Sequence, residues 1–471
     1  MIWDSSCDTL QFNTSSRPPI PHMHQDPTQH TALTGPRYRL REAALAVRLH
    51  YVPAIAIGLC YLAITMMWTL YAAYVPVFLD ADFGLRATAI GAVMMLDNLA
   101  SLFMQPWIGA RSDRLRSRLG RRLPIILIGM PFAALGFVLI PTAAQSLNGL
   151  AGFILVVVVM LLGMSAIRVP LFALMPDFTA SKHRSTANGI INLFGGLGTL
   201  IAALGLGVVY RINRAGPFWV AGGTLIVTVL ILVVVIRKLA GDGLSNAGPD
   251  TATSDDLPSN ALRILRDMLV ENWRGIPLLL LSIFCYTFGI NAVETFFILY
   301  SRKTFEIREE QGLAILGVFF LSYLLASVPA GIIGERRGRL RVMIGGLAVI
   351  SVLIGLGYWF ATVPLLLLFM PVGGLAWALV NSNALPVILS TTSPTRSGSA
   401  VGLFLFATTM ASIVSPIANG WLVETSGGNY NLIMLTTSLA AAAGAFCLLG
   451  IRLRGAGGQS DLVGAAVNSE Q

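Results

Sequence analysis

The chain has 471 residues, 55% of them hydrophobic and only 12% charged, with a mean hydropathy of +0.73. Soluble proteins carry about 25% charged residues, so a water-exposed globular surface is excluded. A net charge of +9 would point to nucleic acid in a soluble chain, but in a chain this apolar it is accounted for by basic loops on one side of a membrane.

Residues 1–48 are rich in Pro, His, Ser and Thr and lack the apolar core of a signal peptide, so they read as a disordered tail. His22, His24 and His30 are loose histidines in that tail, and neither metal nor cofactor is expected. Beyond the tail, apolar runs near 20 residues recur to the end, each able to cross a hydrocarbon core about 30 Å thick. Hydropathy and Pro/Gly breaks place spans near 53–79, 87–108, 123–142, 149–171, 186–209 and 217–237. A second set lies near 276–300, 311–333, 340–361, 364–385, 397–421 and 430–451. The Gly-, Ser- and Asp-bearing stretch 241–274 reads as a linker between two bundles, 49–240 and 275–454, and 455–471 as a second disordered tail. The expected fold is an all-α polytopic membrane protein with twelve transmembrane helices in two pseudo-symmetric six-helix bundles. Cys7, Cys60, Cys285 and Cys447 are scattered and suggest no disulfide framework.

Charge orients the spans. The connections after spans 2, 4, 6, 8 and 10 hold Arg111 to Arg122, Lys182 and Arg184, Arg237 to Arg274, Arg336 to Arg341, and Arg396. This places both termini in the cytoplasm of a multi-pass protein of the cell membrane. Arg211, Arg214 and the mixed stretch from Arg302 to Glu310 are exceptions on the other side.

Charge inside the bilayer costs about 2.5–3.5 kcal/mol per residue on insertion scales and is functional by default. Asp97, beside Asn98 about ten residues into span 2, is the first candidate for a proton carrier; the alternative is an acid tying spans 2 and 11 together. Glu294 shares a face with Asn291 one turn earlier and is either a proton carrier, an acceptor for sugar hydroxyls, or a rim residue. Arg168 lies low in span 4 and either donates to a substrate oxygen, regulates a carboxyl, or pairs with Asp177 in the next loop. Trp107, Trp219, Trp359 and Trp421 sit near span ends as belt anchors. Trp68 and Trp377 sit mid-span, and Tyr71 follows Trp68 on the same face; these are candidate stacking residues for substrate, or else packed aromatics. Asn188, Asn192, Asn381 and Asn383 either face a cavity or knit helices. The run GGLGTLIAALGLG at 195–207 lacks the strand and the Lys-Ser/Thr of a phosphate loop, so it reads as close helix packing.

The two sets of spans echo each other. HRSTANG at 183–189 returns as TRSGSAVG at 395–402, GARSDRLRSRLGRR at 109–122 as GIIGERRGR at 331–339, and Cys60-Tyr61 as Cys285-Tyr286. Duplicated six-span units are the mark of a transporter with its site where the repeats meet.

The 109–122 segment, with Gly109, Ser112, Asp113, Arg114, Gly120, Arg121, Arg122 and Pro124, resembles the signature loop of the major facilitator superfamily. Its form is most similar to the sucrose-transporter-like branch, related to the glycoside–pentoside–hexuronide:cation symporters. LDNLASLFMQP (96–106), VPLFALMPD (169–177) and RSTANGIINLFGGLG (184–198) carry the same resemblance, which spans about residues 50–455. It implies alternating access, with spans 1 and 10 lining the cavity. Two slots that hold acids in melibiose-type sodium symporters carry Ser101 and Gln105 here, so the resemblance favours protons over sodium.

Asp113 ends span 2, where the helix dipole disfavours an acid, so partners are expected. Arg114 or Arg121 can supply one, and the resemblance implies contact with the start of span 11 near Ser393 to Ser399. Gly109, Asp113, Arg114, Gly120 and Arg121, with Glu335 and Arg336 as a weaker repeat, are therefore expected to latch the cytoplasmic end. Arg116, Arg118 and Arg122 are assigned to topology and lipid contact.

The function these features imply is secondary transport of a sugar or glycoside by alternating access, with proton symport. The alternative is proton-driven efflux of drug-like or amphipathic molecules. No catalytic cluster is visible and all five histidines lie outside the spans, so enzyme activity is not expected; a sensor built on the same fold is the remaining class. Expected partners are the lipid bilayer, a small-molecule substrate and protons, without nucleic acid, for a protein acting as a monomer.

Overall fold

A computed structural model describes residues 36–115, 117, 119–146, 149–179, 183–241, 275–390 and 397–456. The three tail histidines, Arg116, Arg118, Lys182, the linker beyond Gly241 and residues 391–396 lie outside the described residues. The chain divides into Met1–Arg48 and Leu49–Gln471; the membrane-spanning body is the second.

Among the described residues, twelve helices are long and apolar enough to span a bilayer: Tyr51–Ala81, Ala87–Arg114, Leu123–Gln145, Gly149–Phe178, Thr186–Ile212, Gly216–Leu239, Ile276–Phe305, Glu309–Arg337, Arg339–Trp359, Val363–Ser390, Ala400–Thr425 and Leu432–Leu453. They correspond one to one with the expected spans and are numbered 1 to 12 in chain order. Helices satisfy every backbone group internally, which a lipid environment demands of apolar runs this long. Most outrun the apolar stretches that predict them. The first begins at Pro36, inside the expected tail. Span 2 continues to Arg114, so Gly109 to Arg114 form its last turns rather than a loop. Terminal charge suits the helix dipole: span 8 opens on Glu309 and Glu310 and closes on Arg336 and Arg337. The connections turn on Gly120 (φ 86°) and Gly338 (φ 89°), conformations that glycine adopts without steric cost.

Two spans are irregular. Span 2 is interrupted at Met95, between Ala87–Met94 and Leu96–Arg114. Span 5 contains a π-helical turn at Ile201–Gly205, a feature found often at functional sites.

In the first bundle span 3 packs on spans 4 and 6, and span 4 on span 2. In the second, span 8 packs on span 10, span 9 on spans 10 and 12, and span 7 on spans 11 and 12. The bundles meet where the first segment of span 2 lies on span 11 and where span 8 lies along span 5. The end bearing residues 109–122 is the arginine-rich end, and the opposite one is the distal end. One apolar core fills the first bundle and crosses into the second at the distal end through Ala292, Phe296, Phe297, Leu313 and Ile433. A separate core around Ile283, Met343, Leu347, Val380 and Leu403 fills the second bundle at the arginine-rich end. The bundles thus share a core at one end only.

Candidate functional site

A cavity of about 100 Å³ lies at mid-depth, lined by Tyr61, Ile64, Thr65 and Trp68 of span 1, Asp97 and Ser101 of span 2, and Leu161, Met164, Ser165 and Arg168 of span 4. Glycines of span 5 shape its span 1 wall. A Cβ at Gly195 would overlap the Tyr61 ring, and one at Gly198 would meet the Leu62 carbonyl and the Thr65 hydroxyl. The Thr65 hydroxyl donates to the Gly195 carbonyl at 2.8 Å, and Tyr61 meets Phe172 edge-on at 4.8 Å. The glycine-rich run therefore serves packing, as its sequence indicates, and the packing it permits sets the Tyr61 ring against the cavity.

Asp97 is 5% exposed. Its Oδ1 accepts the Asn98 backbone N–H at 2.5 Å and the Asn98 side-chain amide at 2.7 Å. It makes no hydrogen bond to span 11 among the described residues, so this acid does not tie spans 2 and 11 together. Arg168 is exposed to the cavity and lies within electrostatic reach of Asp97, as does Glu294 from the second bundle. Arg168 forms no ion pair among the described residues. Asp177, its expected alternative partner, is held by Arg121 and Arg122.

On the second bundle, Glu294 lies within electrostatic reach of Tyr323, which in turn is near Tyr61. The Asn381 amide donates to the Tyr323 hydroxyl at 2.7 Å. A polar band therefore runs from Asp97 and Arg168 on one bundle to Glu294, Tyr323 and Asn381 on the other. Of the four asparagines left open by sequence, Asn381 belongs to this band. Asn383 knits helices, donating to the carbonyls of Ala330 and Leu379 at 3.2 and 2.9 Å. Asn188 and Asn192 are exposed.

Other expected substrate residues lie elsewhere. Tyr71 is 1% exposed and packs beside Trp68, ring centroids 5.8 Å apart, without lining the cavity. Trp377 meets Tyr286 edge-on at 5.8 Å and packs against the second bundle's own core. The Asn291 amide is spent on the Thr287 carbonyl of its own helix at 3.0 Å. Tyr61, Thr65, Ser165 and Tyr323 are the site residues that sequence reasoning missed. Each is a singly polar residue in an apolar run. A mid-span ring, the feature that flagged Trp68, was available as a signal for Tyr323.

The two ends differ in kind. At the distal end ion pairs join the bundles: Asp80 with Lys303 at 2.9 Å and Arg302 at 3.8 Å, Arg86 with Glu424 at 3.1 Å, and Arg211 with Glu310 at 3.5 Å. Two glycines let spans 2 and 11 touch backbone to backbone beside them. A Cβ at Gly91 would overlap the Pro416 carbonyl, and one at Gly420 the Ala87 carbonyl. The distal end is therefore shut. At the arginine-rich end every ion pair among the described residues stays within one bundle. Asp113 pairs with Arg122 at 3.1 Å, Arg122 with Asp177 at 2.6 Å, and Arg121 with Asp177 at 3.7 Å. Glu335 pairs with Arg339 at 3.2 Å rather than with Arg336.

Arg122 corrects the sequence reading. Assigned there to topology and lipid, it is instead the hub of this cluster: its side chain is 11% exposed and bridges the end of span 2 to the end of span 4. The expected partners of Asp113 at 393–396 lie outside the described residues, as do the side chains of 397–399. Gly109 lies against span 4, where a Cβ would contact Val169 at 3.5 Å. Trp107, Trp219, Trp359 and Trp421 are all exposed near span ends, where belt residues belong, and the Arg111 guanidinium lies 5.9 Å from the Trp107 ring.

Twelve spans in two bundles, a mid-depth cavity that sets a few polar groups among apolar and aromatic side chains, and one closed end are the architecture of a membrane transport protein. Residues 57–317 and 279–466 match the Major Facilitator Superfamily, and the chain belongs to that family. It is 23% identical over 359 residues to the fosmidomycin resistance protein of Escherichia coli K12, covering 74% of this chain and 80% of that protein. It is 24% identical over 306 residues to the isoprimeverose transporter of Lactiplantibacillus pentosus, covering 62% and 61%. Among solved structures, the nucleoside transporter NupG superposes with a TM-score of 0.66 at 16% identity, covering 85% of this chain and 99% of NupG. A bacterial homologue of the lysosomal transporter Spinster, inward-facing and unoccupied, superposes with a TM-score of 0.61 at 13% identity, covering 86% and 95%.

Proposed function

We propose that the protein carries a sugar or glycoside across the cell membrane by alternating access, coupled to protons, as a monomer with both termini in the cytoplasm. The observation that carries this reading is the cavity itself. Trp68 and Tyr61 offer ring faces, and Thr65, Ser101, Ser165, Asp97 and Arg168 offer hydrogen-bonding groups around them, the pairing that a polyhydroxylated ring requires. Asp97 and Glu294 are the carboxyls able to take up a proton at this depth, and they come from opposite bundles. With the arginine-rich end cytoplasmic, the ion pairs and glycine contacts that close the distal end support an inward-facing reading of this arrangement, with the Asp113–Arg122–Asp177 cluster as the latch in its released form. The likeness to the isoprimeverose transporter points the same way. The branch resemblance seen in the signature loop agrees, and the absence of acids at Ser101 and Gln105 favours protons as the coupling ion.

A second reading, proton-driven efflux, is favoured by the likeness to the fosmidomycin resistance protein and to a class B tetracycline resistance protein of Escherichia coli, 23% identical over 345 residues. Counterflow in proteoliposomes, followed with a pH-sensitive dye in the lumen, separates the two. Sugar entry accompanied by proton entry supports symport. Drug-dependent proton movement in the opposite direction, with no response to any sugar, rejects it.

A further inference from the structure

A second cavity, of about 450 Å³, opens at the distal end where span 5 meets the head of span 8, lined by Val208, Tyr210, Arg211, Ile212, Arg308 and Glu310. Two guanidinia converge there on one carboxylate. Arg211 of span 5 lies 3.5 Å, and Arg308 at the cap of span 8 lies 4.0 Å, from the same Glu310 oxygen. Both contacts are longer than a hydrogen bond, and both arginine side chains are more than half exposed, so their N–H donors stay open to a second acceptor. Glu310 is 9% exposed and lies behind them, where a Cβ at Gly207 of span 5 would contact its own Cβ at 3.4 Å. The neighbouring Glu309 faces Arg302 at 3.6 Å, and Asp82 is taken by Arg214 at 2.6 Å. Two guanidinia against one carboxylate leave an excess of one positive charge in the cavity. The wall beside it is apolar and turned outward. Val208, Arg211 and Ile212 share one face of span 5 by their spacing, and Val208 and Ile212 are 60% and 85% exposed. Tyr210 forms a fixed floor, stacked on Tyr74 with ring centroids 4.1 Å apart.

We infer that this cavity binds an anionic phospholipid, its phosphodiester held by Arg211 and Arg308 together and its acyl chains lying along Val208 and Ile212. A phosphodiester carries the one negative charge that the cluster lacks, and paired guanidinium N–H groups suit its two free oxygens. A zwitterionic headgroup brings no net charge to offset the excess. The site also lies at the right depth, because span 5 ends at Ile212, the level at which a bilayer places its headgroups. A soluble anion gains nothing from the two exposed aliphatic side chains, whereas a lipid covers them. Arg211 belongs to the first bundle and Arg308 to the second, so the bound lipid joins the bundles at their closed end. A ligand that makes both contacts only when the two guanidinia stand together favours that arrangement over one in which they are apart. Lipid composition then biases the two-bundle equilibrium, whatever the mid-depth cavity carries.

The test titrates the purified full chain in detergent with dioleoyl phosphatidylglycerol, with dioleoyl phosphatidylcholine and with inorganic phosphate, and counts retained molecules by native mass spectrometry. Phosphatidylglycerol should fill one site with an affinity about 5- to 30-fold above phosphatidylcholine, the lower part of what charge-assisted hydrogen bonds supply, since both arginines reach water. Arg211→Gln and Arg308→Gln should each erase that preference, and Arg308→Lys should keep part of it. The double variant should lose one lipid, as each single variant does, because both arginines hold the same phosphate. Ile212→Ser should weaken phosphatidylglycerol binding with every charge in place. Arg308→Gln and Ile212→Ser leave the Arg211–Glu310 pair intact, so they read the lipid site apart from the distal closure. Arg237→Gln, at an exposed arginine of the opposite end, should bind as the wild type does. Equal affinity for the two lipids, a preference that survives Arg308→Gln, or two lipids lost in the double variant overturns the inference. Inorganic phosphate retained through Arg211 and Arg308, with no preference between the lipids, would make this a free-anion site and overturn it as well.

Discussion

Asp80→Asn tests whether the distal ion pairs hold the observed state. Asp80 is 14% exposed and accepts Lys303 at 2.9 Å, with Arg302 at 3.8 Å. Both partners reach water, Lys303 at 44% and Arg302 at 34% side-chain exposure, so solvent screens the attraction. Exposed pairs contribute about 0–1 kcal/mol. The shielded carboxylate and its two partners place the loss here near the upper part of that range for each contact, about 1–2 kcal/mol together. A change of that size moves a two-state population about 5- to 30-fold. Spin labels at the exposed Ala81 and Thr425, at the distal ends of spans 1 and 11, report the separation by double electron–electron resonance in a variant lacking native cysteines. The wild-type distance should be short, and Asp80→Asn should add a longer population. Lys303→Met removes one of the two contacts and should have a smaller effect of the same kind, and the double variant should do no more than Asp80→Asn alone, because the cycle isolates the pair. High salt should act in the same direction by screening. An unchanged distance distribution in Asp80→Asn would show that apolar contact alone closes this end.

Gly91→Leu should open the distal end more strongly than Asp80→Asn, since even a Cβ at this position overlaps the Pro416 carbonyl; the same label pair reads it, and a short distance in that variant would refute the contact. Arg122→Gln leaves Asp113 and Asp177 without their shared guanidinium and should lower thermal stability by about 1–3 kcal/mol, which thermal unfolding in detergent measures, while Arg114→Gln should change it little. Asp97→Asn should abolish sugar accumulation driven by a proton gradient and leave exchange intact; accumulation at the wild-type level would remove Asp97 as the coupling site.

The twelve spans were legible because lipid imposes one strong rule, and long apolar runs leave few ways to obey it. Their ends were less so. Residues such as Arg111 and Arg114 look like loop by hydropathy yet remain helical, because basic groups at a helix carboxyl end are favoured by the dipole, while Asp113 among them is offset by its ion pair with Arg122. Trp68, Asp97 and Arg168 were singled out as rare side chains at depth, and the structure brings all three to one cavity. Tyr71, Trp377 and Asn291 were singled out by the same logic and lie elsewhere, because a helix position alone does not say which face looks inward. Thr65 and Ser165 carried no signal above the many hydroxyls of apolar helices. Arg122 was misread because a basic loop has a sufficient topological explanation, and only the fold brings Asp177 beside it.

The residues that broke the charge rule turn out to be informative. Arg211 and Arg302 to Glu310 stood out as basic or mixed charge on the side that should be poor in it, and they supply much of the distal closure. Two forces act there with different reach. The glycine crossings of spans 2 and 11 are short-ranged and lose about a quarter to a half of their attraction within about an ångström of separation, because dispersion falls away steeply. The ion pairs act over several ångströms and weaken gradually. A joint built this way has a defined closed position set by the glycines and a population set by the charges.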